Sequence, residues 1–145
     1  MSSKKTCRIW YPTLRVFERI VEGLGELYPG DPIQWKGGGR EQAEQAIAAA
    51  RWAFQFSRGQ PCYERKLAAA AALFYETITL HPLTDGNKRL ATIMLWAFLR
   101  VNSLPRPRRI AEAALRVAGG EWSQEEVYQW LLRVYRASRA RKRGD

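Results

Sequence analysis

Two long apolar segments, separated by a short polar loop, constrain the fold of this chain more than any other feature. Residues 64–80 place apolar side chains at helical spacing on one face, and their other faces are also mostly apolar. Residues 88–101 are similarly apolar, after an interruption that contains Pro82 and Gly86. Because the residue before a proline avoids helical geometry, the first helix should end at Leu80. The sequence therefore predicts two central, buried helices joined by a loop.

The rest of the chain predicts four more helices and the turns between them. These helices span residues 14–27 after a Thr13 cap, 41–54, 110–118, and a last segment that begins with a capping box of Ser123 and Glu126. Residues 28–39 form a proline- and glycine-rich loop, and residues 55–62 form a short turn or hairpin. We predict an all-α bundle of about six helices. It forms a single domain over residues 1–145, with a core at about 10–136 and a basic tail at 137–145.

Composition excludes several classes of protein. The 145 residues are 46% hydrophobic, which is typical of a globular domain rather than a disordered chain. No apolar run reaches the roughly 20 residues that a membrane span needs, and no signal peptide follows the N-terminus, so we expect a cytoplasmic protein without a membrane partner. Cys7 and Cys62 lack metal-ligand spacing, and two reduced thiols are the expectation for that compartment.

The net charge of +10 indicates an anionic partner but does not identify one. Nucleic acid, nucleotide phosphates and an acidic protein all fit, as does a basic soluble protein with no such partner. Residues 133–143 alternate cations with small residues, which is typical of a solvated helix end. Most aromatic residues lie at helical spacing and are expected in the core. Trp35 and Phe56 lie in irregular segments and could stack on a base or bind a partner.

The loop between the two apolar helices contains residues suited to phosphate chemistry. His81 is the only histidine, and an imidazole that changes charge near neutral pH can take a proton from an attacking hydroxyl. Asp85 is the only acid in the loop and a candidate Mg²⁺ ligand beside phosphates. Gly86 allows a sharp turn and close approach of a phosphate. The alternative is ordinary turn chemistry, with His81 as a helix-end residue and the following cations solvated.

An anion site is predicted where the second helix begins. Asn87 is a suitable N-cap, and the amides of Lys88, Arg89 and Leu90 would then point back over the loop. Arg89 can bind phosphate oxygens through both guanidinium nitrogens, and Lys88 adds a point charge. The joint spacing between two buried helices favours this interpretation over the turn alone.

This loop resembles the signature H-P-F-x-D-G-N-[GK]-R of the Fic/Doc family. Six positions match identically: His81, Pro82, Asp85, Gly86, Asn87 and Arg89. Leu83 replaces the usual phenylalanine and remains apolar. The resemblance implies a compact helical core, His81 as general base toward a protein hydroxyl, and Asp85 as the Mg²⁺ ligand. It also implies that Gly86, Asn87, Lys88 and Arg89 bind the phosphates of ATP.

Two positions resemble the Doc (death-on-curing) toxin branch more than the AMP-transferring Fic proteins. The latter usually have glycine where this chain has Lys88 and a second arginine where it has Thr92. The segment 119–126 also looks Doc-like. The resemblance implies transfer of the γ-phosphoryl group of ATP to a Ser or Thr hydroxyl, within the translation machinery. AMP transfer is the alternative, and a non-catalytic basic binding module is the second alternative.

The resemblance also implies partners. In many Fic proteins a hairpin before the signature aligns the target peptide, and residues 55–62 occupy that place here. The chain contains no inhibitory motif of the form [ST]-x-x-x-E-[GN], so inhibition should come from a small antitoxin in trans. An acidic antitoxin segment would suit the positive charge, and we do not expect nucleic acid as a direct ligand.

Overall fold

A computed structural model describes residues 6–30 and 33–143, and these fold into an all-α bundle, as predicted. Its helices are α1 (Leu14–Leu27), α2 (Gly39–Phe56), α3 (Cys62–Leu80), α4 (Asn87–Val101), α5 (Ile110–Ala118) and α6 (Gln124–Lys142). The described residues contain no strand, only an isolated antiparallel bridge between Trp35 and Leu83. None of their helices is both long and apolar enough to cross a membrane.

Helix α3 lies at the centre of the bundle. It packs against α2, α4, α5 and α6, and Leu73 and Phe74 in its middle are fully buried. The alanines at 69–72 are buried, as are three alanines of α2, and such small side chains let packed helices approach closely. The prediction of a central, buried helix before the polar loop is confirmed. This rigid helix fixes the loop that follows it.

The caps predicted for α1 and α6 are both present. The Thr13 hydroxyl accepts a hydrogen bond from the Val16 amide at 3.4 Å. The Ser123 hydroxyl accepts from the Glu126 amide at 3.2 Å, and the Glu126 carboxylate accepts from the Ser123 amide at 2.9 Å. Local sequence rules therefore located the starts of α1 and α6 correctly.

The two cysteines form a disulfide, so the prediction of two reduced thiols is wrong. Cys7 and Cys62 are bonded, with their Cα atoms 5.5 Å apart. The N-terminal segment runs back along the bundle to the start of α3, where Asn102 holds it. The Trp10 amide donates to the Asn102 side-chain oxygen at 2.7 Å, and the Asn102 side-chain nitrogen donates to the Trp10 carbonyl at 3.0 Å. The spacing of the two cysteines in the sequence does not predict that the N-terminal segment brings Cys7 to Cys62.

Reducing the disulfide is expected to destabilise the fold. The bond closes a loop between cysteines 55 positions apart, and loops of that length typically contribute about 2–4 kcal/mol by restricting the unfolded chain. Urea unfolding with and without a reductant measures the effect, and the Cys7→Ser/Cys62→Ser double variant should match the reduced protein. Identical midpoints with and without reductant, together with two titratable thiols in the folded protein, would contradict the disulfide.

Several aromatic side chains expected in the core are exposed instead. Trp96 of α4 is 45% exposed and Trp52 of α2 is 68% exposed, which corrects the prediction for both. Phe56, expected in an irregular segment, is instead the last residue of α2, where it is exposed and lies beside Trp52. Helical spacing predicted a buried face for α2 and α4, but it did not show which aromatic residues lie outside that face.

Candidate active site

The loop of the signature connects the end of α3 to the start of α4. His81 follows the last residue of α3 in a left-handed conformation, with φ 56° and ψ 63°. It is exposed to solvent. Asp85, Lys88 and Arg89 are exposed too, whereas Gly86 and Asn87 are buried. The structure therefore brings all six predicted site residues into one short region and divides them into exposed and buried groups.

Asn87 holds the loop together and does not act as an N-cap, so that prediction is wrong. Its side-chain oxygen accepts from the Leu83 amide at 2.8 Å, and its side-chain nitrogen donates to the Leu83 carbonyl at 2.9 Å. The same nitrogen lies 3.4 Å from Nδ1 of His81. Asn87 therefore fixes the loop backbone and contacts one edge of the imidazole. Nε2 of His81 has no hydrogen-bond partner in the described part of the chain.

The start of α4 presents backbone amides, although not the set predicted. Gly86 takes the N-cap position with φ 88°, a conformation that glycine adopts without strain. The Leu90 amide donates to the Gly86 carbonyl at 2.9 Å, so its predicted role in anion binding is wrong. The amides of Asn87 and Lys88 precede this first helical bond and have no partner among the described residues. They lie at the positive end of the helix dipole.

Asp85 is a single carboxylate at the mouth of this site. One of its oxygens accepts from the Gly86 amide at 2.8 Å, which orients the side chain. No group of three or more His, Cys, Asp or Glu residues that could hold a metal occurs in residues 6–30 and 33–143. A divalent cation here would have one protein ligand and would need the others from phosphate oxygens and water.

The segment that pairs with the loop comes from the α1–α2 connection and was missed by sequence reasoning. Trp35 bridges Leu83, the Thr84 amide donates to the Gln34 carbonyl at 2.9 Å, and the Lys36 amide donates to the Pro82 carbonyl at 3.0 Å. The Lys36 ammonium also donates to the Leu80 carbonyl at 3.4 Å, at the negative end of α3. The three glycines that follow Lys36 are the signal that could have indicated this close approach.

Of the turn or hairpin predicted at residues 55–62, the structure forms the turn and not the hairpin. That segment is the end of α2 followed by a turn, in which the Gln60 amide donates to the Ser57 carbonyl at 3.1 Å. The turn precedes α3 and His81 follows it, so the 19 residues of α3 separate the two by about 28 Å. The segment that pairs with the signature loop is residues 33–36, not residues 55–62.

A groove of about 390 Å³ opens beside the start of α4. Its floor is apolar, and Lys88, Arg89 and Thr92 line one side. The apolar lining consists of Leu24, Leu27, Tyr28, Ile93, Ala111 and Leu115. The Arg89 guanidinium carbon lies 4.1 Å from the centre of the Tyr28 ring, a cation–π contact. A ligand in this groove would have apolar contacts and two cations at the same time.

Comparison with known proteins assigns the family. The sequence profile of the Fic/DOC family matches residues 14–99, which include α1 to α3, the complete signature loop and all but the last two residues of α4. The chain therefore belongs to the Fic/DOC family. No curated protein matches the sequence significantly. Members of this family typically transfer groups from nucleotides to proteins, and the arrangement of a base, a carboxylate and helix amides agrees with that chemistry.

Proposed function

We propose that this protein is a Doc-like toxin that transfers the γ-phosphoryl group of ATP to a Ser or Thr hydroxyl of a protein in the translation machinery. One observation carries the proposal: Lys88 lies exposed in the first turn of α4 and lines the groove, and its amide has no partner among the described residues. A lysine side chain there crowds the amide pocket that would hold the α- and β-phosphates in an AMP transferase. ATP would then bind with its γ-phosphate toward His81.

The residues of the loop have distinct roles in this reaction. A ring nitrogen of His81 accepts the proton of the target hydroxyl, whose oxygen forms a bond to the γ-phosphorus. The bond from that phosphorus to the β–γ bridging oxygen breaks, and ADP leaves. Lys88, Arg89 and the amides at the start of α4 stabilise the charge that develops on the phosphate oxygens. Gly86 leaves room for the phosphates, and Asn87 positions the loop.

The site suits a Mg²⁺ ion that arrives with ATP. Asp85 supplies one carboxylate with one oxygen already oriented, and Mg²⁺ commonly binds through one or two carboxylates plus substrate phosphates. When bound, the ion would neutralise phosphate charge.

Thr92 supports phosphoryl transfer over AMP transfer. It lies one turn after Lys88, and its hydroxyl donates to the Lys88 carbonyl at 2.8 Å. The groove therefore presents a neutral side chain at the position where AMP-transferring Fic proteins have a second arginine. AMP transfer remains the alternative outcome of the test below.

We further propose that the groove is covered by a small antitoxin. The apolar floor suits an amphipathic segment, and Lys88 and Arg89 suit acidic side chains on it. A partner seated there would also exclude ATP from the start of α4. Inhibition by steric exclusion needs no inhibitory motif within this chain.

Labelled ATP distinguishes the reactions. The purified protein is incubated with Mg²⁺ and a ribosome-associated protein fraction, with either γ-³²P-ATP or α-³²P-ATP. We expect label on a target protein only from γ-³²P-ATP. Label from α-³²P-ATP instead would show AMP transfer, and no label from either nucleotide with a folded protein would favour a binding module.

A further inference from the structure

Three arginines from two distant parts of the sequence meet at one surface depression. Arg106 and Arg108 come from the loop between α4 and α5, and Arg141 comes from the last turns of α6. With Pro107, Val134 and Ala137 they line a volume of about 590 Å³, which we call the arginine basin. Among the described residues, no carboxylate lines it. All three arginines are exposed, so a ligand can reach them from solvent.

The charges of the arginine basin are not neutralised within the described residues. Elsewhere on the surface, Arg15, Arg40, Arg109 and Arg116 pair with glutamates within 4 Å. Over residues 6–30 and 33–143, the three basin arginines form no such ion pair. Three neighbouring cations without a counter-charge create a local positive potential that attracts polyanions.

An exposed aromatic ring extends the arginine basin along α4. The Arg106 guanidinium carbon lies 5.1 Å from the centre of the Trp96 ring, and that of Arg100 lies 5.6 Å from it. Trp96 nevertheless keeps 45% of its surface exposed. Flat guanidinium and indole surfaces beside uncompensated arginines are the combination on which unpaired bases stack while their phosphates are bound.

We propose that the arginine basin and Trp96 bind single-stranded RNA. The guanidiniums of Arg106, Arg108 and Arg141 would bind successive phosphates, and a base would stack on Trp96 or on its guanidinium neighbours. This binding is additional to phosphoryl transfer and needs no ATP. The family resemblance implied an acidic protein for the surplus charge, and the sequence could not show that these arginines and Trp96 are adjacent.

The surroundings of the arginine basin favour RNA over other polyanions. An acidic peptide would use the cations but would gain little from an exposed indole, and α4, α6 and the α4–α5 loop offer no strand edge for its backbone. Duplex DNA has its bases stacked internally and could not stack on Trp96. Cellular RNA commonly exposes unpaired bases in loops and ends.

The test compares two variants with the same change in charge. Arg106→Ala/Arg108→Ala/Arg141→Ala removes the arginine basin. The control Arg15→Ala/Arg19→Ala/Arg58→Ala removes three exposed arginines from α1 and the α2–α3 turn. Fluorescence anisotropy with a labelled oligouridylate about 12 nucleotides long measures Kd at several salt concentrations. The full-length protein is used without ATP, and circular dichroism confirms that each variant is folded.

We expect the basin variant to weaken RNA binding about tenfold or more and the control variant less than about threefold. The slope of log Kd against log salt should fall by about 2 in the basin variant, because three phosphate contacts are lost. Trp96→Leu, an exposed substitution, should weaken binding about fivefold or more with an unchanged salt slope. Equal losses in the two triple variants, or polyglutamate binding as tight as the oligouridylate, would overturn the proposal. If the basin variant does not fold, Trp96→Leu decides alone, and unchanged affinity in it also overturns the proposal.

Discussion

Replacing His81 with asparagine should lower phosphoryl transfer at least about 100-fold, because a carboxamide cannot accept the proton of the target hydroxyl. The fold should not change. His81 is exposed and has φ 56°, a left-handed conformation that asparagine tolerates better than most residues. The measurement is label transferred from γ-³²P-ATP per minute at saturating ATP, beside a urea unfolding curve.

His81→Ala serves as a comparison for this prediction. Its transfer activity should fall as much as that of His81→Asn, but it should unfold at a lower urea concentration. Alanine in the left-handed region is destabilising by about 1 kcal/mol. Transfer by His81→Asn above about a tenth of the wild-type rate would mean that His81 is not the general base, since general bases contribute about 100-fold or more.

Gly39→Ala should both destabilise the fold and disturb the loop of the signature. A Cβ atom on Gly39 would lie 2.1 Å from the Pro82 carbonyl oxygen. That oxygen belongs to the backbone and accepts from the Lys36 amide, so α2 and the loop must move apart. We expect a loss of about 3 kcal/mol or more in the free energy of unfolding. We also expect reduced transfer, because the displaced loop includes His81.

Gly37→Ala is the matched control for this second prediction. A Cβ atom there meets nothing within 4 Å, so its effect should stay within about 0.5 kcal/mol. Urea unfolding of both variants measures the difference. Equal stability of Gly39→Ala and the wild type would show that residues 33–39 do not pack against the loop as described.

The helices and the position of the loop were predictable because they depend on local pattern. Apolar spacing indicated that α3 is buried, and the Ser123–Glu126 spacing located the start of α6. The role of Asn87 was not predictable by the same rules. Its side chain suits an N-cap, but the left-handed Gly86 occupies that position and Asn87 turns back to Leu83. Whether Asn87 caps the helix or bonds to the Leu83 backbone depends on the packing of the whole loop.

Contacts between distant segments account for the remaining differences. The bridge of Trp35 to Leu83 and the bond of Cys7 to Cys62 each join segments about 50 residues apart, and neither spacing carries a pairing signal. The arginine basin likewise joins Arg106 and Arg141 from different elements. The amino-acid composition shows an excess of positive charge, but only the fold shows where three arginines lie together.

The mass added to the target protein tests the central claim most directly. The modified target is purified after reaction with unlabelled ATP and Mg²⁺, and its intact mass and its modified peptide are measured. Our account predicts the increment of one phosphoryl group on a Ser or Thr residue, absent in the reaction with His81→Asn. An adenylyl increment on that residue would contradict the assignment of Lys88 to phosphoryl transfer and would identify an AMP transferase.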